Sequence, residues 1–575
     1  MKTFQHFIYF LFLCIWILWG GNKGQAQSIQ FKESEEQIEI ENGKITVSFQ
    51  KKNADLLALK NAAGLSLLGK NGRGYLLGPG FSMYPSNFKI VRQNKELIEL
   101  SFYHEASNHF QYDLHYVIKK NDPGLYCFLV QSHKATDSAG YFGQTRWGIR
   151  ADESIFNYHL VRDSIQGIMP AMRDLKKDIQ DWTFELGPDS FYTKYDYADY
   201  IEDRHVHGMA GTESHQGLFV MQASHEYLNG GPTKQYQNVH STPFLINMFN
   251  CGHFLSDIRK GDDKIEGDWT KLNGPFYLYT NTGSSIQSMW KDAKERALQE
   301  QKSWPYHWME HENYPLSRGT LIGQLFNGKN PATEGTQVIL AGPDYDWQAQ
   351  SQGYIFNTKT GPAGKFKLDH VRAGTYTLYA FGSNQTVEFQ KKDIQIYAAK
   401  TKDLGKFGWP VSTAKTLWQL GIADRSTKGF KMSNWKRNYA NFKKPPAHIR
   451  FTIGKDDPAE SWYYAQTKAG AWEILFPLEN NISDTVLLEI AFAGVARNPL
   501  LEIECNGESI EKFTHLGNDA SVYRSAMSGG YYQLKQVYID GKKLRVGENI
   551  LSFKLPNPKP GAGIMYDAIK LSIPK

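Results

Sequence analysis

Lys44-Ile-Thr-Val-Ser-Phe-Gln50 carries an apolar side chain at every second position. A period of two puts those side chains on one face of an extended chain, the pattern of a half-buried β-strand. Glu96-Leu-Ile-Glu-Leu-Ser-Phe102 repeats it less strictly, and Leu114-His-Tyr-Val-Ile118 follows. Asn121-Asp122-Pro123-Gly124 is a turn signal after that strand. The same rhythm runs from Ile29 to about Lys302. One stretch differs: between Ser284 and Lys302, Met289, Trp290, Ala293 and Ala297 fall near helical spacing and predict a helix. Many short strands with few helices predict a large β-sandwich over residues 28–304.

At 575 residues the chain exceeds one ordinary domain. Pro305 to Tyr314 reads as a linker. Beyond it, Gly319–Leu325, Gln337–Ala341, Gly364–Leu368 and Gly374–Ala380 read as strands of a small immunoglobulin-like or transthyretin-like sandwich over residues 315–405. It shows no catalytic cluster and reads as a spacer. From residue 406 to residue 575, His448–Thr452, Thr485–Ala491, Leu500–Glu504, Asn549–Phe553 and Asp567–Ile573 fit a jelly roll. The chain is predicted to be all-β.

The net charge of +6 is mild for this length, and no long Lys/Arg run concentrates it. That argues against nucleic acid and is compatible with a polyanionic sugar. The 32 Tyr and 14 Trp supply either stacking surfaces for sugar faces or strand aromatics. Met1-Lys2, the apolar run Phe7–Trp19 and Gly24-Gln25-Ala26 form the pattern of an export signal cleaved near Ala26. The run is too short for a membrane span, so none is expected after cleavage. Secreted, periplasmic and cell-surface destinations are not distinguished. Cys127, Cys251 and Cys505 are odd in number and far apart, so no disulfide framework or metal spacing is expected. A monomer is expected.

Chemistry concentrates between Phe191 and Phe254. Tyr192-Thr-Lys-Tyr-Asp-Tyr197, Asp203-Arg-His-Val-His-Gly208, Asn229-Gly-Gly-Pro-Thr-Lys-Gln235 and Cys251-Gly-His-Phe254 pack lysine, tyrosine, histidine and paired glycines more densely than elsewhere. Such groups suit β-elimination on a uronic acid. A cation must neutralise the carboxylate, a base must take the C5 proton, and an acid must protonate the departing oxygen. A lysine base must be neutral, which burial and a nearby arginine both promote. Lys194 is the candidate base. On a strand it would share a face with Tyr192 and Asp196; the alternative is a surface lysine lying along aromatics. His253 is the candidate acid or a structural histidine. Arg146 and Arg150 flank Gly148 on one strand face, as carboxylate ligands or as ordinary ion-pair partners. His205 and His207 form an H-x-H pair without a third ligand at a defining spacing. Carboxylates such as Asp199, Glu202 and Asp203 form no diagnostic pair for a glycoside hydrolase.

In the same order, Lys194-Tyr-Asp-Tyr197, Val206-His-Gly208, Asn229–Gln235, Val239-His240 and Gly252-His253 resemble the rhamnogalacturonan lyases of polysaccharide lyase family 4. Trp418-Gln-Leu-Gly-Ile-Ala-Asp-Arg425 looks like the motif that opens that family's third domain. The resemblance implies a β-sandwich catalytic domain, a fibronectin-III-like domain and a carbohydrate-binding-like jelly roll. It implies an acidic plant polysaccharide as substrate, with cleavage of the rhamnose-α-1,4-galacturonate bond of rhamnogalacturonan I, a pectin. Lys194 is then the base, His253 the acid and Arg150 the neutralising cation. Tyr195, Lys234, Arg146, His207 and Gly231 are candidate substrate contacts. Fungal members carry tyrosines where this chain has Met248 and Ile246. No cofactor or catalytic metal is expected; a structural calcium stays open. The alternatives are a silent carbohydrate-binding protein, or a glycoside hydrolase.

Overall fold

The computed structural model describes residues 29–574 except 79–81, 142, 203, 251–263 and 344–345. The export signal, Cys251 and His253 therefore lie outside the described residues.

Strand Ile45–Gln50 buries Ile45, Val47 and Phe49, as its alternation requires. It belongs to a nine-stranded sheet that also contains Arg73–Leu77, Thr145–Arg150, Phe244–Asn250, Gln235–His240 and Ala198–Tyr200, in that spatial order. A second nine-stranded sheet holds Leu97–Glu105, Gln111–Lys119 and Gly124–His133 side by side, next to the long Trp269–Thr282. All strand pairs of both sheets are antiparallel. One apolar core joins their facing sides, with Trp147 and Tyr116 fully buried and linked by an indole-to-hydroxyl hydrogen bond of 2.9 Å. The tryptophan thereby finds the polar partner that a buried indole N–H needs.

Helix Ile286–Ser303 lies on the outer face of the second sheet. Ser285 caps it, accepting the Ser288 N–H while Ser288 reciprocates. Its Met289, Trp290, Ala293 and Ala297 pack on Phe219, Tyr277 and Tyr279. The segment read as a linker instead belongs to this packing: Tyr306, Met309 and Tyr314 are buried in the same cluster. Polar and proline punctuation suggested an exposed connection, but the apolar residues between those signals found a surface to cover.

The second sandwich pairs Gly319–Asn327 with Lys365–Val371 and, in parallel, with Thr401–Trp409. Its other sheet is Ile355–Lys359, Gln337–Ala341, Gly374–Gly382 and Gln385–Ile396. In the third sandwich the final strand, Gly563–Ile573, sits between Lys415–Gly421 and Val486–Ala496. The facing sheet runs Ile449–Thr452, Gly470–Leu478, Gly547–Leu555, Leu501–Cys505 and Glu508–Phe513. Cys127 and Cys505 are free and buried in different cores.

The first and second sandwiches meet at a buried ion cluster. Glu226 takes Arg318 at 2.5 Å and Arg372 at 2.8 Å. Trp304 and Tyr354 lie against the two guanidinium groups, at 4.5 and 3.8 Å from ring centroid to charge. The third sandwich closes on the first through Arg437, which donates to the Tyr195 carbonyl at 2.6 Å, and Tyr200, which donates to the Gly529 carbonyl at 2.7 Å.

Candidate active site

A turn, not a strand, presents Lys194. Strand Ser190–Thr193 pairs with Thr183–Gly187 and ends at Thr193. The Asp196 N–H donates to the Thr193 carbonyl at 2.9 Å, and the Asp196 carboxylate accepts the Thr193 N–H at 3.1 Å. An aspartate that satisfies its own backbone in this way closes a turn. Alternation therefore stops at Thr193, and the expected shared face of Tyr192, Lys194 and Asp196 is corrected.

On the other arm, Asp181 and Trp182 both have positive φ, 46° and 59°. Left-handed backbone is unfavourable for residues with a Cβ and persists only where surroundings hold it. The Lys194 N–H donates to the Trp182 carbonyl at 3.1 Å and fixes the bend. The bend delivers the Asp181 carboxylate to three donors: Lys194 Nζ at 2.7 Å, the Tyr195 hydroxyl at 2.6 Å and Arg524 Nη2 at 3.1 Å. Arg524 belongs to the third sandwich, 343 residues from Asp181 in the chain. Lys194 and Arg524 stand 5.1 and 4.9 Å from the Tyr195 ring centroid.

The electrostatics of this cluster follow from burial and from who neighbours whom. Burial pushes the Lys194 amine below the usual lysine range; Asp181 opposes that shift, while Arg524 and Arg146 add to it. Burial alone would raise Asp181, but Lys194, Tyr195 and Arg524 outweigh it and hold its carboxyl at about 2. Burial keeps the Tyr195 hydroxyl well above its ordinary range, so it is a neutral donor. Burial and the two arginines thus favour the neutral amine, while the paired carboxylate favours the charged one.

Arg146 and Arg150 do share one face of Thr145–Arg150. Gly148 between them is required: a Cβ there would meet the Phe244 ring at 2.5 Å. That ring lies 4.6 Å from the Arg150 guanidinium, and Arg150 Nε donates to the Tyr75 hydroxyl at 3.1 Å. Arg146 is the one of the two whose charge lowers the Lys194 amine. Met248 and Ile246, opposite Arg146 and Gly148 in the register, are fully buried. This part of the face is lined with apolar side chains.

Three candidate contacts lie elsewhere. His207 is buried between the sheets, with Nε2 donating to the Ile246 carbonyl at 2.9 Å, and burial lowers it to about 4. Neighbouring His205 uses Nδ1 on the Gln222 carbonyl at 2.7 Å and stacks on His225. Among the described residues no group of three or more His, Cys, Asp or Glu gathers around a metal-sized site. Lys234 is 1 % exposed, its amine 3.5 Å from the Gly530 carbonyl and 5.7 Å from the Tyr531 ring centroid. Burial lowers it to about 8. Gly231, with φ 54°, faces Trp347 of the second sandwich, and a Cβ added to it would stand 3.4 Å from that ring. His207 sits in a core, and Lys234 and Gly231 sit in seams between sandwiches. All three are buried in this structure. Asp181 and Arg524 were missed by sequence reasoning. No local pattern marks either, since each acquires its role only when distant segments meet.

Three family models match the chain. Residues 78–182 match the rhamnogalacturonate lyase family, 329–404 match domain II of polysaccharide lyase family 4, and 416–571 match domain III of the same family. A rhamnogalacturonate lyase of Dickeya dadantii (strain 3937) is 29 % identical over 512 residues, covering 87 % of this chain and 85 % of its own. A probable rhamnogalacturonate lyase B of Aspergillus niger is 24 % identical over 633 residues, covering 90 % and 86 %.

Proposed function

The chain belongs to the rhamnogalacturonate lyases of polysaccharide lyase family 4, and from that premise we propose that it is an exported enzyme that cuts the rhamnose-α-1,4-galacturonate bond of rhamnogalacturonan I by β-elimination. The lyase activity on rhamnogalacturonan follows from the family. The bond, the product and the residues below are our reading.

The observation that carries the residue assignment is the Lys194 cluster: one buried lysine beside Tyr195, Arg524 and a single carboxylate, with Arg146 near enough to act on its amine. In the proposed reaction the galacturonate carboxylate is bound by an arginine. Charge neutralisation makes the C5 proton acidic and stabilises the enolate-like anion. Lys194 Nζ takes that proton. The C5–H electron pair becomes the C4=C5 double bond, and the C4–O bond breaks with its electrons on oxygen. The oxygen stays with rhamnose and takes a proton from the acid. Arg150 is assigned to the carboxylate by resemblance. Arg146 supports it from the same strand face and also acts on the Lys194 amine. Tyr195, a neutral donor beside Lys194, is assigned to orienting Asp181 and the substrate. His253 is assigned as acid on the resemblance alone.

Lys194 must be neutral to work, and Asp181 favours its charged form. A substrate carboxylate that draws Arg146 or Arg150 toward itself changes the field at the amine, so proton abstraction is coupled to binding. The test is ultraviolet absorbance of unsaturated uronates on rhamnogalacturonan I, for the natural chain and Lys194→Ala. Absorbance that rises with the first and not with the second supports elimination by Lys194. New reducing ends without absorbance would make the chemistry hydrolysis and overturn the reading.

A further inference from the structure

Two clefts flank the Lys194 turn along the border between the first and third sandwiches. One, of about 620 Å³, is lined by Phe191 and Asp196 on one side and by Trp435, Lys436, Arg437, Lys443 and Lys444 on the other. The second, of about 580 Å³, begins at Gln180, next to Asp181, and is lined by Tyr439, Phe442, Lys443, Lys468, Arg497 and Lys559. Lys443 lines both, so the two clefts adjoin and their linings make one track along the border.

The composition of the track is lopsided. Among the described residues, Asp189 and Asp196 are its only carboxylates, both in the first cleft. Burial raises Asp196 to about 7, so at neutral pH it carries about half of a full negative charge. The cations are interleaved with aromatic rings. Lys443 stands 5.6 and 5.3 Å from the ring centroids of Phe191 and Tyr439, and Lys444 stands 4.9 Å from that of Trp435. Trp435 is 48 % exposed, unusual for so large an apolar ring. A uronate ring offers an apolar face and one carboxylate, which a ring beside a cation matches. The track also touches the catalytic turn directly, because Asp196 lines it and Arg437 holds the Tyr195 carbonyl.

We propose that this cation-and-aromatic track on the third sandwich binds a stretch of the acidic polysaccharide remote from the bond being cut. It rests on the lyase reading and extends it: the third sandwich holds the chain whose cleavage the first performs. Exposed cations along a groove steer and retain a polyanion in a salt-dependent way.

The experiment compares the natural chain with two variants, Trp435→Ala and the triple Lys436→Ala, Lys443→Ala, Lys444→Ala, all exposed side chains outside the catalytic cluster. The substrates are rhamnogalacturonan I polymer and the shortest oligosaccharide that the natural chain cleaves. The expected result is a KM for polymer raised at least fivefold in the triple variant, with kcat unchanged, a shallower salt dependence and unaltered kinetics on the oligosaccharide. Trp435→Ala should shift polymer KM in the same direction without altering the salt dependence. A polymer KM within twofold of natural in both variants would overturn the proposal. So would an equal rise for polymer and oligosaccharide, since the cations would then belong to the cleavage site. If the natural chain releases no unsaturated product, the lyase reading fails by itself. The track is then judged by retention of both proteins in gels containing polygalacturonate: weaker retention of the triple variant supports it, and equal retention overturns it.

Discussion

Two ion clusters in this molecule have the same formal make-up, one carboxylate and two cations, and opposite characters. Glu226 with Arg318 and Arg372 has side chains 2 %, 1 % and 9 % exposed. Asp181 with Lys194 and Arg524 has side chains 37 %, 10 % and 17 % exposed. The first uses two arginines, which cannot give up a proton at any ordinary pH. Its charges are fixed, and the cluster only joins two sandwiches. The second has a lysine whose amine is lowered by burial and by neighbouring arginines, and a carboxylate that water or substrate can reach. A lysine in place of one arginine and a carboxylate open to solvent give the second cluster a group that can exchange a proton, which is what the proposed role as base requires.

Lys194→Ala should break the second cluster as a catalyst with the largest effect, a fall of about 10³-fold in kcat. Lys194→Arg should be as inactive, though it keeps the charge and the Asp181 pairing; full activity in the arginine variant would remove Lys194 as base. Both variants should melt close to the natural chain. Glu226→Gln should do the reverse. Leaving two buried guanidinium groups without their carboxylate destabilises by about 3 kcal/mol or more, read as a lower unfolding midpoint, while folded protein retains its kcat.

Asp181→Asn sharpens the contrast. The carboxylate favours the charged amine, so removing it lowers the Lys194 pKa further. The acid limb of the pH–rate profile should therefore move to lower pH. An acid limb that stays in place would mean that another group sets it. The smallest effect is on acid stability. Asp181 is depressed from its ordinary value of 3.8 to about 2. Its contribution is present above the unfolded value and is lost as pH falls through about 2. In Asp181→Asn the melting temperature should depend less steeply on pH over that interval.

The strands were legible because burial on one face forces a period of two. Gln337–Ala341 was read with its observed bounds, and Ile45–Gln50, Leu501–Cys505 and Gly563–Ile573 matched to within a few residues. The helix was legible by the same logic at a different period. Lys194 itself stood out through its tyrosine neighbours. Its turn did not, because Asp196 closes it with side-chain and backbone bonds that period-two reasoning ignores. Lys234 and His207 stood out equally well and lie in a seam and in a core.

Residue type and spacing thus determined that the chain is all-β, that it divides into successive sandwiches, and which short segments carry chemistry. Tertiary structure alone decided which of those segments meet. Whether a lysine is a base, a seam residue or a surface charge depends on its solvent exposure and on charges within a few ångströms. Those neighbours come from Asp181 and from Arg524, hundreds of residues apart in the chain. Local pattern reports on the face a residue occupies; the field it feels is set by the assembled fold.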